Sequence, residues 1–286
     1  MKKAFARAAA LVLTLATMLP FLSIGASASS EKYIETKSSE ISVKLEGKYV
    51  LQNRALLINS VTYVAIRDFS ELFEGCEVTW DAKTKTAVIT KGTHVITATV
   101  GDRYVYSQGR CFYTVEPIII IDNSMFLPVR AIARALGIEV DWDAKTRSVL
   151  LANTGIIPKS GAEFYNADDL YWLSRIISAE AKGEGLIGQI AVGNVVLNRV
   201  EHKSYPNTIY GVIFDRKHGT QFSPVSFGTI YQQPTASSII AAKICLEGYS
   251  ISNDILFFMN PRIATNSWIS QNRPFAFTIG NHDFYR

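Results

Sequence analysis

One stretch of this chain is written twice. Residues 63–90 read YVAIRDFSELFEGCEVTWDAKTKTAVIT, and residues 126–152 read FLPVRAIARALGIEVDWDAKTRSVLLA. In each copy an arginine, Arg67 or Arg130, opens an amphipathic helical stretch. Glu-Val-x-Trp-Asp-Ala-Lys-Thr follows, and its polar middle joins two alternating strands. The repeated element is thus one short helix followed by a β-hairpin. The approaches, Ile41 to Leu45 and Val115 to Ile121, are strand-like as well. Residues 38–152 are therefore expected to form an N-terminal α+β domain of two helix-plus-hairpin repeats. Trp80 and Trp142, one per hairpin, can stack on sugar rings, but core positions are the expected role.

The V/L-x-x-R helix start combined with a W-D-x-K-T hairpin resembles the domain named after the N-terminal region of copper amine oxidases. That resemblance covers the whole region and implies a fold, with neither copper nor oxidation. His94 is the only histidine there and no His-x-His pair exists in the chain, so no metal site and no cofactor is expected.

With 286 residues, 48% of them hydrophobic and 19% charged, the chain can bury two cores. Lys2, Lys3 and Arg7 precede the apolar run Ala8 to Ile24, which ends in Ala26-Ser27-Ala28. Residues 1–28 are read as a signal peptide cleaved after Ala28. The apolar run, about 17 residues with Pro20 inside it, sits at the bottom of the membrane-spanning range, so no stable membrane span is expected after cleavage. Cleavage lowers the formal charge from +4 to +1 and leaves no basic stripe, which argues against a nucleic-acid partner. The remaining cysteines, Cys76, Cys111 and Cys245, are odd in number; a Cys76–Cys111 bridge is open, with buried small apolar roles preferred.

Residues 153–167, with Gly155, Pro158, Ser160 and Gly161, read as a linker. From Asp168 the pattern is helical, capped by Asn166 or Asp168 and stopped by Gly183. Further helices are expected over about 188–200, 207–214 and 234–247, and a terminal hairpin over 275–285 turning at Gly280-Asn281. Residues 168–286 thus form a mainly helical α+β domain.

On the first of these helices Leu170, Leu173, Ile177 and Glu180 share one stripe. Ile176, Ile177, Gly183 and Glu184 are the helical neighbours of Glu180, so no local cation neutralises it. Desolvation, the helix C-terminus and Glu184 all favour a raised pKa, as a general acid needs. Spacing alone leaves open a second reading, a structural pair with Arg175, Arg199 or Arg273.

The residues around Glu180 carry more. Ile176 to Gly183 resembles the helix end of goose-type lysozymes and lytic transglycosylases. Ala179-Glu-Ala-x-Gly-Glu184, Gly188-Gln-x-Ala-Val-x-x-Val-x-Leu-Asn-Arg199, Tyr205-Pro-Asn207 and Gly211-Val-Ile213 resemble the spore cortex-lytic type of cell-wall hydrolase. The likeness continues through Gln221-Phe-Ser-Pro224, Asn260-Pro261, Trp268 and Gly280-x-His282, spanning residues 168–286 in order. It implies a lysozyme-like fold, peptidoglycan glycan strands as partner, and cleavage of the β-1,4 bond between N-acetylmuramic acid and N-acetylglucosamine by Glu180. It also implies an extracytoplasmic place, secreted, in the wall or in the spore cortex during germination. Asp215, Glu247 and Asp254 fall outside the matching strings. With no matched second carboxylate, lytic transglycosylation by one acid is expected.

Gln221, Asn260 and Thr265 are candidates for hydrogen bonds to the sugar, and Phe222, Tyr231 and Trp268 for stacking. Glu184 and His282 are secondary candidates. A cysteine peptidase using Cys245 and His282 is disfavoured because Cys245 is not at a helix N-terminus. A zinc hydrolase is disfavoured because His202, His218 and His282 lack metal-ligand spacing. The competing class is a non-catalytic wall-binding protein.

Overall fold

The structure, a computed structural model, describes residues 39–286 except 218 and 265. The expected signal peptide, residues 1–28, lies outside the described residues.

The first region is built mostly of strands. A seven-stranded sheet contains β1 (Ser39–Leu45), β2 (Lys48–Ile58), β3 (Val61–Ala65), β9 (Ile119–Ile121), β10 (Ser124–Pro128), β11 (Ile138–Asp143) and β12 (Ser148–Asn153), in the order β11-β12-β1-β2-β3-β10-β9. A five-stranded antiparallel meander runs β4 (Cys76–Asp81), β5 (Thr86–Lys91), β6 (His94–Thr99), β7 (Tyr104–Ser107) and β8 (Arg110–Tyr113). Helices α1 (Ile66–Glu71) and α2 (Val129–Leu136) follow β3 and β10. Strands β3 and β10 pair antiparallel with Tyr63 opposite Pro128, Val64 opposite Leu127 and Ala65 opposite Phe126. Val64 and Leu127 hold the same place in the two sequence copies, and both are fully buried, so the copies meet about a local two-fold through this pair.

The Trp-Asp-x-Lys-Thr string is a turn device. Asp81 Oδ1 accepts from Lys83 N at 2.8 Å and Thr84 Oγ1 donates to Asp81 Oδ2 at 2.8 Å. Asp143 does the same with Lys145 N at 3.0 Å and Thr146 Oγ1 at 2.5 Å. Each turn places a non-glycine residue, Lys85 or Arg147, at positive φ, a local cost these hydrogen bonds offset. Trp80 and Trp142 share the inward face of their strands but stand at the hairpin end, where the core has run out. They are 43% and 37% exposed, so the expected core role is corrected.

The second region packs α4 (Ala167–Ala181), α5 (Leu186–Glu201) and α8 (Ala236–Leu246) around a core that includes Leu173, Ile177, Ile190, Val196, Ala241 and Cys245. Asn166, not Asp168, caps α4, accepting from the amides of Asp168 and Asp169. Gly193 sits where the helices cross. A Cβ there would meet Cys245 Sγ at 2.7 Å and Ile177 Cδ1 at 2.9 Å. Helix α6 (Ile209–Phe214), helix α7 (Ser223–Phe227) and the 3-10 turn Thr229–Tyr231 cover one side. Strands β13 (Phe257–Met259), β14 (Phe275–Ile279) and β15 (His282–Tyr285) form a small sheet ordered β13-β15-β14, and the terminal hairpin turns at Gly280-Asn281 as expected.

The stretch read as a linker is more ordered than that reading. Residues Gly161–Phe164 form a helical turn, α3, with a Ser160/Glu163 capping box. Gly161 N donates to Gln108 O at 2.7 Å, and a Cβ on Gly161 would come within 2.7 Å of Gly109 O. Just past α8, the Glu247 carboxylate accepts from Arg110 Nε and Nη2, both at 2.7 Å, and from Tyr165 Oη at 2.7 Å. Cys111 is buried in the core of the second region, and Tyr113 lies 4.1 Å from Tyr249. The two regions are therefore joined by a buried ion pair and shared apolar contacts. Among the described residues all cysteines are free thiols, so no Cys76–Cys111 bridge forms. No described helix is long and apolar enough to cross a membrane.

Two stability outcomes follow from these contacts. Glu247→Ala strands Arg110, whose side chain is 11% exposed, and removing one member of a buried pair costs about 3–5 kcal/mol. Amide exchange at Gly161 should quicken and the melting temperature fall; unchanged exchange would refute the joint's dependence on Glu247. Gly193→Ala should cost about 1–3 kcal/mol by overpacking, measured by denaturant unfolding, while Gly183→Ala, which faces open space, should cost little.

Candidate active site

Glu180 occupies the last turn of α4, carried there by a stripe in which Leu173, Ile176 and Ile177 are fully buried. Burial pushes its carboxyl up to about 7, opposed by the charge of Arg199. Among the described residues it is in no ion pair and accepts no hydrogen bond. The helix C-terminus adds to the cost of ionisation. A carboxyl held this way exchanges its proton near neutrality, where both its forms are populated.

A buried polar network fixes the chain around it. Ser178 Oγ accepts from Thr235 N at 3.2 Å, and Ser238 Oγ donates to Gln189 Oε1 at 2.9 Å. Gln189 Nε2 donates to Glu184 O at 2.9 Å and to Ser237 Oγ at 3.2 Å. The turn after Glu180 is thereby tied to α5 and to the start of α8. A satisfied buried network of this kind specifies one arrangement.

The far wall is hung on α5. Asn194 Nδ2 donates to Tyr249 O at 3.0 Å and its Oδ1 accepts from Ile251 N at 2.9 Å. Asn198 Nδ2 donates to Ser252 O and Ile255 O, both at 2.9 Å. Arg199 Nε donates to Leu256 O at 2.7 Å, which sets the entry to β13. The arginine is 5% exposed and lies among the rings of Tyr205, Phe222 and Phe257 at 5.0, 5.1 and 5.4 Å. Of the three arginines that spacing left open, Arg199 is the one whose charge reaches Glu180. Arg175 stacks on Tyr171, and Arg273 on Phe257 and Trp268.

Glu184 clamps the terminal hairpin. Its carboxylate accepts from Asn281 N at 3.1 Å and Asn281 Nδ2 at 2.8 Å, and a Cβ at Gly280 would collide with it at 1.9 Å. Burial, which favours the neutral acid, is outweighed by these hydrogen bonds and by His282, so its pKa is lowered. His282 Nδ1 lies 3.9 Å from Glu184 Oε1 and the ring meets Phe258 edge-on at 5.4 Å. Burial pushes its pKa down, against the pull of Glu184 and Asp283. Burial raises the thiol pKa of Cys245, so no ready nucleophile exists there.

The stacking candidates divide. Tyr231 and Trp268 are 62% and 48% exposed, Trp268 with Arg273 over its ring. Phe222 is 2% exposed beneath Arg199 and supports that arginine instead of offering a free ring face. Gln221 is half-buried and donates to Gly219 O at 3.2 Å; Asn260 is half-buried and caps the Pro261 turn through Arg262 N at 3.0 Å. Thr265 lies outside the described residues. Sequence reasoning missed an aromatic cluster in which Trp172 stands edge-on to Tyr171, Tyr210, Phe214 and Tyr231. It also gave Arg199 no role beyond that of a possible partner. The signal was present in the spacing of Val192, Val196 and Arg199, which puts the arginine on the buried face of α5.

Residues 183–285 match the family described as Cell Wall Hydrolase, a match that begins just after Glu180, and residues 30–151 match the Copper amine oxidase N-terminal domain. The spore cortex-lytic enzyme of Bacillus cereus is 36% identical over 120 residues, covering 42% of this chain and 45% of that protein. The chain thus spans less than half the length of that relative. The cell wall hydrolase CwlJ of Oceanobacillus iheyensis is 31% identical over 114 residues, covering 37% of this chain and 79% of that protein. The catalytic domain of the germination-specific lytic transglycosylase SleB from Bacillus anthracis is 35% identical, covers 43% of this chain and 97% of that domain, and superposes with a TM-score of 0.39. By the extent of its likeness to CwlJ, the chain belongs to the cell wall hydrolases, with a copper amine oxidase N-terminal-like domain ahead of the hydrolase region.

Proposed function

We propose that this chain cleaves the β-1,4 bond between N-acetylmuramic acid and N-acetylglucosamine in peptidoglycan, with Glu180 acting first as acid and then as base. The observation that carries the reading is a lone carboxyl at the end of α4, pushed by burial up to about 7, just ahead of the region that matches the cell wall hydrolases. In the first step Glu180 protonates the glycosidic oxygen as its bond to muramic C1 breaks. In the second, the Glu180 carboxylate takes the proton of the muramic 6-hydroxyl while O6 bonds to C1, closing a 1,6-anhydro ring.

The placement of the other acids supports a one-acid mechanism. Glu247 is held in the joint by Arg110, Glu184 is held by Asn281, Asp254 pairs with Arg286 and Ser252, and Asp215 accepts from Lys217 N at 2.9 Å. A hydrolase with two carboxylates needs a second acid facing the first across the sugar. Tyr231 and Trp268 are proposed as sugar-stacking faces, with Gln221, Asn260 and Thr265 as polar contacts. Export through the leader and action at the wall or cortex follow from the same reading.

The decisive experiment is a digest of purified sacculi, cortex and vegetative in parallel, with muropeptides analysed by mass spectrometry. Wild type should release 1,6-anhydro products, and products bearing only reducing-end muramic acid would overturn transglycosylation. Glu180→Gln should lose at least about 10³-fold in rate, the scale of a sole acid-base group. Equal release by this variant would remove Glu180 from the reaction, and sacculus binding without release by either form would favour a binding protein.

Activity that needs protonated Glu180 should fall as pH rises through about 7. Stability carries a linked sign. A carboxyl raised from 4.5 to about 7 binds more protons folded than unfolded between those values, so stability is lost as pH rises through that window. The loss is on the order of 3 kcal/mol. Glu180→Gln should therefore melt above wild type at pH 8, with the gap closing toward pH 4.5; equal melting at both would refute the buried-acid environment.

A further inference from the structure

Trp172 begins a row on α4 that ends at Glu180. Trp172, Ile176 and Glu180 are each four residues apart, so they form one ridge of the helix, with Trp172 about 12 Å back along the axis. Around the Trp172 ring stand Tyr171, Tyr210 and Phe214, edge-on at 4.9, 5.4 and 5.0 Å, and Tyr231 at 6.2 Å. Tyr210 also lies against Phe214 at 4.5 Å, so the cluster braces its own rings. Its outer members, Tyr210 and Tyr231, are 54% and 62% exposed. A contiguous ring cluster left this open to water marks a ligand or interaction surface.

The segment from Tyr231 to Thr235 runs from that cluster to the last turns of α4. Tyr231 meets Trp172, and four residues later Thr235 N donates to Ser178 Oγ at 3.2 Å. Ile230, fully buried, fixes one end of the segment, and Thr235, the N-cap of α8, fixes the other. Gln232 and Gln233 between them are exposed, and neither side chain makes a hydrogen bond among the described residues. The helix ridge and this segment together lay a strip from two tyrosine rings, past two free amides, to the turn that carries Glu180.

We propose that this strip is an outlying glycan-binding track: Tyr210 and Tyr231 stack on pyranose rings, and Gln232 and Gln233 hydrogen-bond the N-acetyl and hydroxyl groups, of a strand cut at Glu180. This rests on glycan strands being the substrate. A pyranose offers what the strip asks for, C–H faces for the rings and hydroxyl or amide groups at its edge for the phenols and glutamines. The hydroxyls of Tyr210 and Tyr231 make no hydrogen bond among the described residues, so both are available to a ligand. A second copy of this chain or a lipid surface would call for unbroken apolar side chains, whereas all four residues of the track carry a polar group. Contacts this far from the reacting bond draw binding energy from remote sugars, so they favour long strands over short fragments.

The test reads binding first, by cosedimentation of the full chain with purified sacculi, in a Glu180→Gln background so that no strand is cut. Adding Tyr210→Ala should weaken binding about three- to tenfold, while Tyr210→Phe, which keeps the ring, should stay within about twofold of the background. Gln232→Ala combined with Gln233→Ala should weaken binding as well. With Glu180 intact, Tyr210→Ala should raise KM on long soluble glycan strands by the same factor and spare kcat, and the loss should shrink on the shortest fragments the wild type cuts. Undiminished binding by Tyr210→Ala and by the glutamine pair overturns the track. So does an equal fall in kcat on strands of every length, which a merely structural ring would give. A dimer in sedimentation velocity that Tyr210→Ala abolishes also overturns it, assigning the patch to a second copy. Should Tyr210→Ala fail to fold, the glutamine pair, exposed and free of internal bonds, decides alone. The two readings fail separately: a background protein that does not bind sacculi removes the glycan substrate, whereas a background that binds and variants that bind equally remove only the track.

Discussion

The second region is organised around one half-buried carboxyl set against an apolar face at the end of a helix. Glu180 faces desolvation, the negative end of the α4 dipole and the absence of any direct hydrogen bond. None of these helps the fold. They are tolerated because the surroundings leave no alternative: Ile176 and Ile177 pin the helix face, and the Ser178, Thr235, Ser238 and Gln189 network pins the turn that follows. A looser frame would let Glu180 swing to solvent and become an ordinary glutamate.

Environment, not residue type, assigns the work of the glutamates. Glu180 has one distant cation and an apolar wall, which suits proton transfer. Glu184, four residues on, accepts two hydrogen bonds from Asn281 and stays ionised, so it serves as a latch on the hairpin turn. Glu247 has a bidentate arginine and a tyrosine hydroxyl, which makes it a joint. The same chemical group thus titrates near pH 7, is hydrogen-bonded, or is ion-paired according to what the backbone brings beside it.

Local patterns made much of this legible in the sequence. The duplicated hairpin string, the apolar stripe leading to Glu180 and the Gly280-Asn281 turn each depend on residues close in the chain, and the elements formed there. Asn166 rather than Asp168 as cap is a one-turn correction of the same kind. What stayed hidden depends on long-range contact. Phe222 read as a stacking face because its ring is flat and apolar and the family resemblance reaches it, yet only the fold shows Arg199 above it. Trp80 and Trp142 lie on inward faces that extend past the core, a matter of strand length that alternation cannot reveal. Residues 161–164 looked like linker because their reason for order, Gln108 and Gly109, is some fifty residues away.

Helix α8 connects the joint to the candidate active site physically. Its eleven residues span about 16 Å, with Thr235 and Ser238 of the Glu180 frame at one end and Glu247 of the interdomain pair just past the other. Between them Cys245 leaves no room for a Cβ at Gly193. A helix anchored at both ends and packed without slack in its last turns moves as a unit. The strands that present Arg110 to Glu247 thereby take part in holding the frame that buries Glu180. The first region is accordingly a structural neighbour of the candidate site's scaffold, bound to it by a charge pair whose loss leaves a mostly buried arginine unpaired.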